Sequence, residues 1–181
     1  RTATLDNGIP LTIIDNGSQE VNRISLIWDG GICETHHPSI ASLTANLLRE
    51  GTKQHTGAEI AETFEYNGAW VKSNIHSHHS SVTMHSLNSH TENVLPILAE
   101  TITAPSFPEQ ATSVLREKMA RTAELDLEKV EFHSANANRK LLFGVNHPLA
   151  NSDTASQIRN IKTQDIFDYH NKVYRTDTCG I

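Results

Sequence analysis

Three short runs rich in β-branched and apolar residues open the chain: Thr2 to Leu5, Leu11 to Ile14 and Arg23 to Trp28. Asp6-Asn7-Gly8 and Asp15-Asn16-Gly17 separate them, and both are turn sequences in which the glycine supplies the positive φ that a tight reversal needs. The pattern predicts a meander that ends at Gly30-Gly31. From Pro38 the period changes. Ile40, Leu43, Leu47 and Leu48 fall at i, i+3, i+7 and i+8, one face of a helix, which Gly51 terminates. Thr56-Gly57-Ala58-Glu59 is a capping box that opens a second helix with Ile60 and Phe64 inside, stopped near Gly68. Residues 69–87 read as one or two strands with Val82 and Met84 on one face. Helices are then predicted over about 91–103, 107–127, 132–143 and 163–175. Thr163 is expected to cap the last, whose apolar face carries Ile166, Phe167, His170, Val173 and Tyr174. Pro96 should lie in the first turn of its helix or kink it.

Strands and helices are partly segregated in this order. That favours an α+β fold, a mainly antiparallel sheet with helices packed on one face. The length of 181 residues suits one domain with one core. The chain begins at Arg1 and ends at Thr178-Cys179-Gly180-Ile181, which reads as the start of a strand. The expectation is a single domain, residues 1–181, cut from a longer chain with its final strand incomplete.

Charge and composition remove several function classes. Fifteen Lys and Arg against 21 Asp and Glu give a net charge of −6, which argues against nucleic acid as a partner. No window approaches the roughly 20 consecutive apolar residues of a membrane span. The two cysteines, Cys33 and Cys179, make neither a disulfide framework nor a thiolate zinc site. The 11 histidines are the exception, since imidazole is a common metal ligand.

Several phrases, in this order, resemble the N-terminal domain of the insulinase, pitrilysin and mitochondrial processing peptidase family of zinc peptidases. They are Leu5-Asp6-Asn7-Gly8-Ile9-Pro10-Leu11, Gly30-Gly31 with Glu34, Leu47-Leu48-Arg49-Glu50-Gly51-Thr52, Leu142-Phe143-Gly144-Val145-Asn146-His147-Pro148 and Tyr169-His170-Asn171-Lys172-Val173-Tyr174. The resemblance covers nearly the whole chain. It implies a LuxS/MPP-like metallohydrolase fold, and a partnership with a second such domain or a catalytic zinc-peptidase subunit around a chamber that holds an extended peptide.

Active members of that family hold zinc with H-x-x-E-H on the first helix. Its two histidines ligate the metal from one helical face, and its glutamate acts as general base. Anchored on Gly51-Thr52, those three positions fall on Ser42, Ala45 and Asn46. Neither H-x-x-E-H nor H-E-x-x-H occurs anywhere in the sequence. The family's third ligand, a carboxylate, corresponds to a position near Thr122, with Glu117 and Glu124 in the vicinity. The resemblance therefore implies the frame of a zinc peptidase without its catalytic residues: no enzyme, no zinc and no catalytic residue.

The histidines have to be placed elsewhere. His76 and His78, at i and i+2 of a strand, would share a face and could chelate a metal, which gives the alternative reading of a divergent metallohydrolase. Packed imidazoles with hydrogen-bond partners are the plainer expectation. His79 and His85 should lie on the opposite face, His36-His37 in a solvated loop, and His170 in the core. Cys33 lies close to His36 and His37 in sequence, a weak thiol–imidazole pairing, and Ser42 has no evident His or Asp companions. The favoured function is a scaffold or peptide-holding subunit that offers a sheet edge, about residues 72–76, to an extended peptide. At that edge Lys72-Ser73 stand where the family carries Asn-Ala. A purely structural dimerisation half is a third reading.

Overall fold

In the computed structural model, which describes residues 1–181, strand β3 (Val21–Asp29) runs through the centre of an antiparallel sheet. It pairs with β5 (His79–Leu87) from Val21–Leu87 to Asp29–His79, and with β6 (Cys179–Gly180) at Ile27–Gly180 and Trp28–Cys179. Strand β4 (Trp70–Ile75) pairs with β5 alone, so the order is β4-β5-β3-β6 and β4 is an edge. Side-chain alternation separates the faces. Ser80, Val82, Met84 and Ser86 of β5 are buried together with Trp28 of β3, and Ile24 and Leu26 pack against the same core. The other face presents Arg23, Ile27, Trp70 and Lys72 to solvent.

Seven helices complete the fold: α1 (Pro38–Leu47), α2 (Gly57–Tyr66), α3 (Thr91–Thr103), α4 (Glu109–Asp126), α5 (Val130–Phe143), α6 (Ala155–Asn160) and α7 (Thr163–Val173). Helix α1 is the hub of the helical layer, in contact with α7, β4 and α4. Seven of its ten residues are buried, and the three that are not, Pro38, Ser42 and Asn46, form a single strip at i, i+4 and i+8. The core carries Leu43, Leu47, Ile60, Met84, Val94 and Ile166, so sheet and helices share one apolar interior. This is the expected α+β class. The capping box of α2 is present in full, with Thr56 and Glu59 each satisfying the other's backbone N–H.

Several local expectations are corrected. The N-terminal runs do not form one meander. Strands β1 (Thr2–Thr4) and β2 (Pro10–Thr12) make their own hairpin, and β3 pairs elsewhere because β5 supplies the matching buried alternation. The β1–β2 hairpin meets the end of the chain instead, where Thr12 N–H donates to Ile181 O at 2.7 Å and Ile181 N–H donates to Pro10 O at 3.0 Å. Residues 69–87 are two strands, and the turn between them takes up residues 76–78. His76 and His78 consequently share no strand face, because they occupy a turn. Helix α6 was absent from the periodicity reading, being too short to show one, although its capping box, Thr154 with Gln157, is plain. The cap of α7 is Lys162, not Thr163: Asp165 accepts the Lys162 N–H at 2.8 Å, while the Thr163 hydroxyl is drawn to Glu109. Pro96 lies in the second turn of α3, within a continuous helix.

Candidate functional site

The exposed strip of α1 forms one wall of a cleft of about 720 Å³, and α4 forms the other. Ser42 and Asn46 line it from α1, Thr122 from α4 and Ser77 from the β4–β5 turn. Ser42, Asn46 and Thr122, three positions singled out by the family resemblance, thus lie in one cavity. Ala45 does not line it. It is 3% exposed and points into the helical layer.

A glycine pair fixes the cleft's upper rim. Ile32 N–H donates to His76 O at 2.9 Å, Cys33 N–H to Ser77 O at 3.0 Å and Gly30 N–H to His78 O at 2.8 Å. This sews the turn onto the end of β3. A Cβ at Gly31 would lie 2.1 Å from His76 O, and Gly30 has φ +121°, so only glycine permits the approach. The Tyr169 hydroxyl donates to Gly31 O at 3.1 Å from α7 and locks the same segment.

Asp153 anchors the start of α1 from far along the chain. Its Oδ2 accepts the Ser39 N–H at 2.8 Å and its Oδ1 lies 2.8 Å from His37 Nδ1, with its side chain 4% exposed. Helix α1 has no cap of its own, since His37 in the N-cap position makes no capping bond. A carboxylate aimed at the orphan N–H groups of a helix start replaces one. Asp153→Ala is expected to cost about 2 kcal/mol, as it strands a buried N–H, whereas Asp153→Asn should cost about half of that. Urea unfolding of both variants measures the difference, and equal losses would exclude the charge from this role. His37 keeps its side chain 41% exposed in the loop before α1 while pairing with Asp153, and His36 is exposed.

Tested as a zinc site, the cleft's donor set does not fit. The Asn46 amide turns back on its own helix, Nδ2 donating to Ser42 O at 2.7 Å, and the Thr122 hydroxyl donates to Lys118 O at 3.0 Å. The two acids in the wall are engaged: Asp153 as above, and Asp126 with Lys129 at 2.7 Å. Glu117 and Glu124 do not line the cleft. Both bind Arg159 of α6, at 2.9 and 2.6 Å, and the Arg159 and Arg121 guanidiniums pull the Glu117 carboxyl down to about 2. Nowhere in the chain do three His, Cys, Asp or Glu side chains meet in a metal-holding group.

Six of the remaining histidines are held by stacking or pairing. His76 stacks on His79 across the turn, centroids 4.2 Å apart, and His85 stacks on Trp70 at 3.9 Å on the open sheet face. His170 is a core residue. Its Nε2 lies 2.7 Å from Ile102 O, its ring stacks on Tyr174, and burial pushes its pKa down. His55 pairs with Glu100 at 3.0 Å, and His147 Nδ1 accepts the Leu149 N–H at 3.2 Å. Cys33 has no imidazole partner, and burial raises its thiol pKa, so it lacks the thiolate character that nucleophilic chemistry needs. What sequence reasoning missed is Asp153, whose only local signal is that it precedes the capping box of α6.

Comparison with known proteins places this geometry. A structure described as a peptidase M16 inactive domain from Pseudomonas fluorescens superposes with a TM-score of 0.90 at 22% identity, over 99% of this chain and 45% of the other. A curated protein of Helicobacter pylori (strain ATCC 700392 / 26695), named non-peptidase homolog YmxG, is 24% identical over 170 residues, 92% of this chain and 39% of its own length. The chain thus spans less than half the length of either relative. Residues 20–147 match the insulinase family, peptidase family M16, and the chain belongs to that family.

Proposed function

We propose that this chain is an inactive M16 peptidase-like domain that holds an extended peptide against its sheet edge, beside a second peptidase-like domain or a catalytic zinc-peptidase subunit. Ser42, Ala45 and Asn46 occupy the place of the family's H-x-x-E-H, with two neutral side chains and a methyl where two ligands and a base are required. The relatives' descriptions, a non-peptidase homologue and an inactive domain, support the same reading.

The observation that carries the peptide-holding role is strand β4. It pairs on one side only and ends in the turn whose Ser77 lines the cleft. Its free groups can be assigned. His76 N–H donates to His79 O at 2.9 Å, so by alternation Asn74, Lys72 and Trp70 also bond to β5, while Val71, Ser73 and Ile75 turn their backbone groups outward. An added strand would pair with those three. Ser73→Pro removes one outward N–H and leaves the ladder to β5 intact, as edge strands allow. Anisotropy of a labelled extended peptide should show binding weakened about tenfold by Ser73→Pro and little changed by Lys72→Ala. Unchanged binding in the proline variant would remove the edge from the proposal.

A further inference from the structure

The cleft does not stop at the strip of α1. A second cavity of about 840 Å³ lies between the end of α1, the following loop and α4, and the two share Asn46, Leu115 and Lys118. They form one continuous groove that leads from the β4–β5 turn, past Ser42 and Asn46, to the start of α2. A strand added to β4 would be directed toward this groove, since β4 runs into that turn.

The charge in the groove runs against that of the chain. Four cations line it: Arg49, Lys53, Lys118 and Arg139. None has an acidic partner. The side chains of Arg49, Lys53 and Lys118 take part in no ion pair or hydrogen bond of the protein, and that of Arg139 binds only the neutral Asn136 and Ser152. Of the three carboxylates along the groove, Asp126 and Asp153 are already paired with Lys129 and His37, which leaves Glu50 alone without an ion-pair partner. Outside the groove six of the eleven basic residues are ion-paired: Arg116, Arg121, Lys129, Arg159, Lys172 and Arg175. A chain of net charge −6 thus sets four unpaired cations along one concave track, against a single unpaired carboxylate there. Low-dielectric walls focus such a field and raise the local concentration of anionic ligands.

We propose that this groove selects acidic peptide segments, Asp- and Glu-rich stretches in extended conformation. The inference rests on the peptide-holding reading above and adds the class of peptide. Unpaired cations on both walls give carboxylates partners, and the row of neutral Ser42, Asn46, Ser77 and Thr122 between them adds no negative charge to repel them.

The test compares three labelled unstructured 12-residue peptides, acidic, neutral and basic, by fluorescence anisotropy against the protein and a Lys118→Glu/Arg49→Glu variant. Both substituted residues are exposed, and circular dichroism checks that the variant is folded. The acidic peptide should bind at least about tenfold tighter than the basic one, despite the net negative protein, with the advantage shrinking as salt rises. The variant should reverse the order. Equal binding of all three peptides would overturn the acidic preference and leave the sheet-edge reading standing. Failure of every peptide to bind would overturn both. A single-stranded oligonucleotide of equal charge that binds tighter than the acidic peptide would also overturn the assignment, because the groove would then be reading anionic charge without regard to peptide.

Discussion

Replacing Trp28 with alanine is expected to lower the stability of the protein by about 4 kcal/mol. Trp28 is 2% exposed at the middle of the sheet, flanked by Ser80 on β5 and Cys179 on β6. Its ring meets that of Tyr174 at 5.0 Å and 54°, so one side chain ties the central strand to the end of α7. Truncation removes a large apolar area and leaves a cavity that the hydrogen-bonded strands on either side cannot close, because their spacing is fixed by the ladder. Trp28→Phe keeps part of the volume and should cost about half as much. The midpoint of urea unfolding reports both. A loss below about 1 kcal/mol in the alanine variant would mean that this layer is not the centre of the core.

The second large effect is expected from Ala45→Glu. At this position the family resemblance would place the catalytic base, yet here the residue is almost wholly buried and turned away from the cleft. A carboxylate introduced beside Ala41 and Leu48, the buried neighbours on that face of the helix, loses its water, and breaking solvation around a buried charge costs about 3 to 5 kcal/mol. By contrast, Ser42→His and Asn46→His place imidazoles in open space on the exposed strip and should each cost less than about 1 kcal/mol. Thermal unfolding of the three single variants tests the contrast. If all three were equally mild, the helix would have room for the base, and only side-chain identity would separate this cleft from an active one. If Ala45→Glu alone is severe, the layer behind α1 has closed over that position.

The class of fold was legible because its carriers are local. The apolar stripe of α1, its stop at Gly51 and the capping box at Thr56–Glu59 are each encoded within a few residues, and helices α1 and α2 fall where those signals put them. The meander failed for the opposite reason. Pairing between strands is a long-range choice, and β3 is set beside β5 by matched burial across 58 residues, as in the Ser25–Thr83 hydroxyl contact at 3.1 Å. The histidines show the same boundary. His170 could be assigned to the core from the stripe it shares with Ile166 and Val173, whereas His76 and His78 depended on where one strand stopped and the next began. The cleft was half legible: the family resemblance, which set Asn46 and Thr122 at ligand positions, brought α1 and α4 together on paper. Asp153 and the unpaired Lys118 could not be found that way, because the role of each is defined by a partner, present or missing, from another part of the chain.

The attachment of the β4–β5 turn to the end of β3 has an evolutionary corollary. Its three contacts run between main-chain atoms, and the sole demand they make on side chains is that residues 30 and 31 have none. The rim of the cleft is therefore indifferent to the identity of His76, Ser77, His78, Ile32 and Cys33. A lineage can exchange the lining of such a cavity and keep its shape, so an inherited architecture can outlast its original chemistry and be recruited to another use.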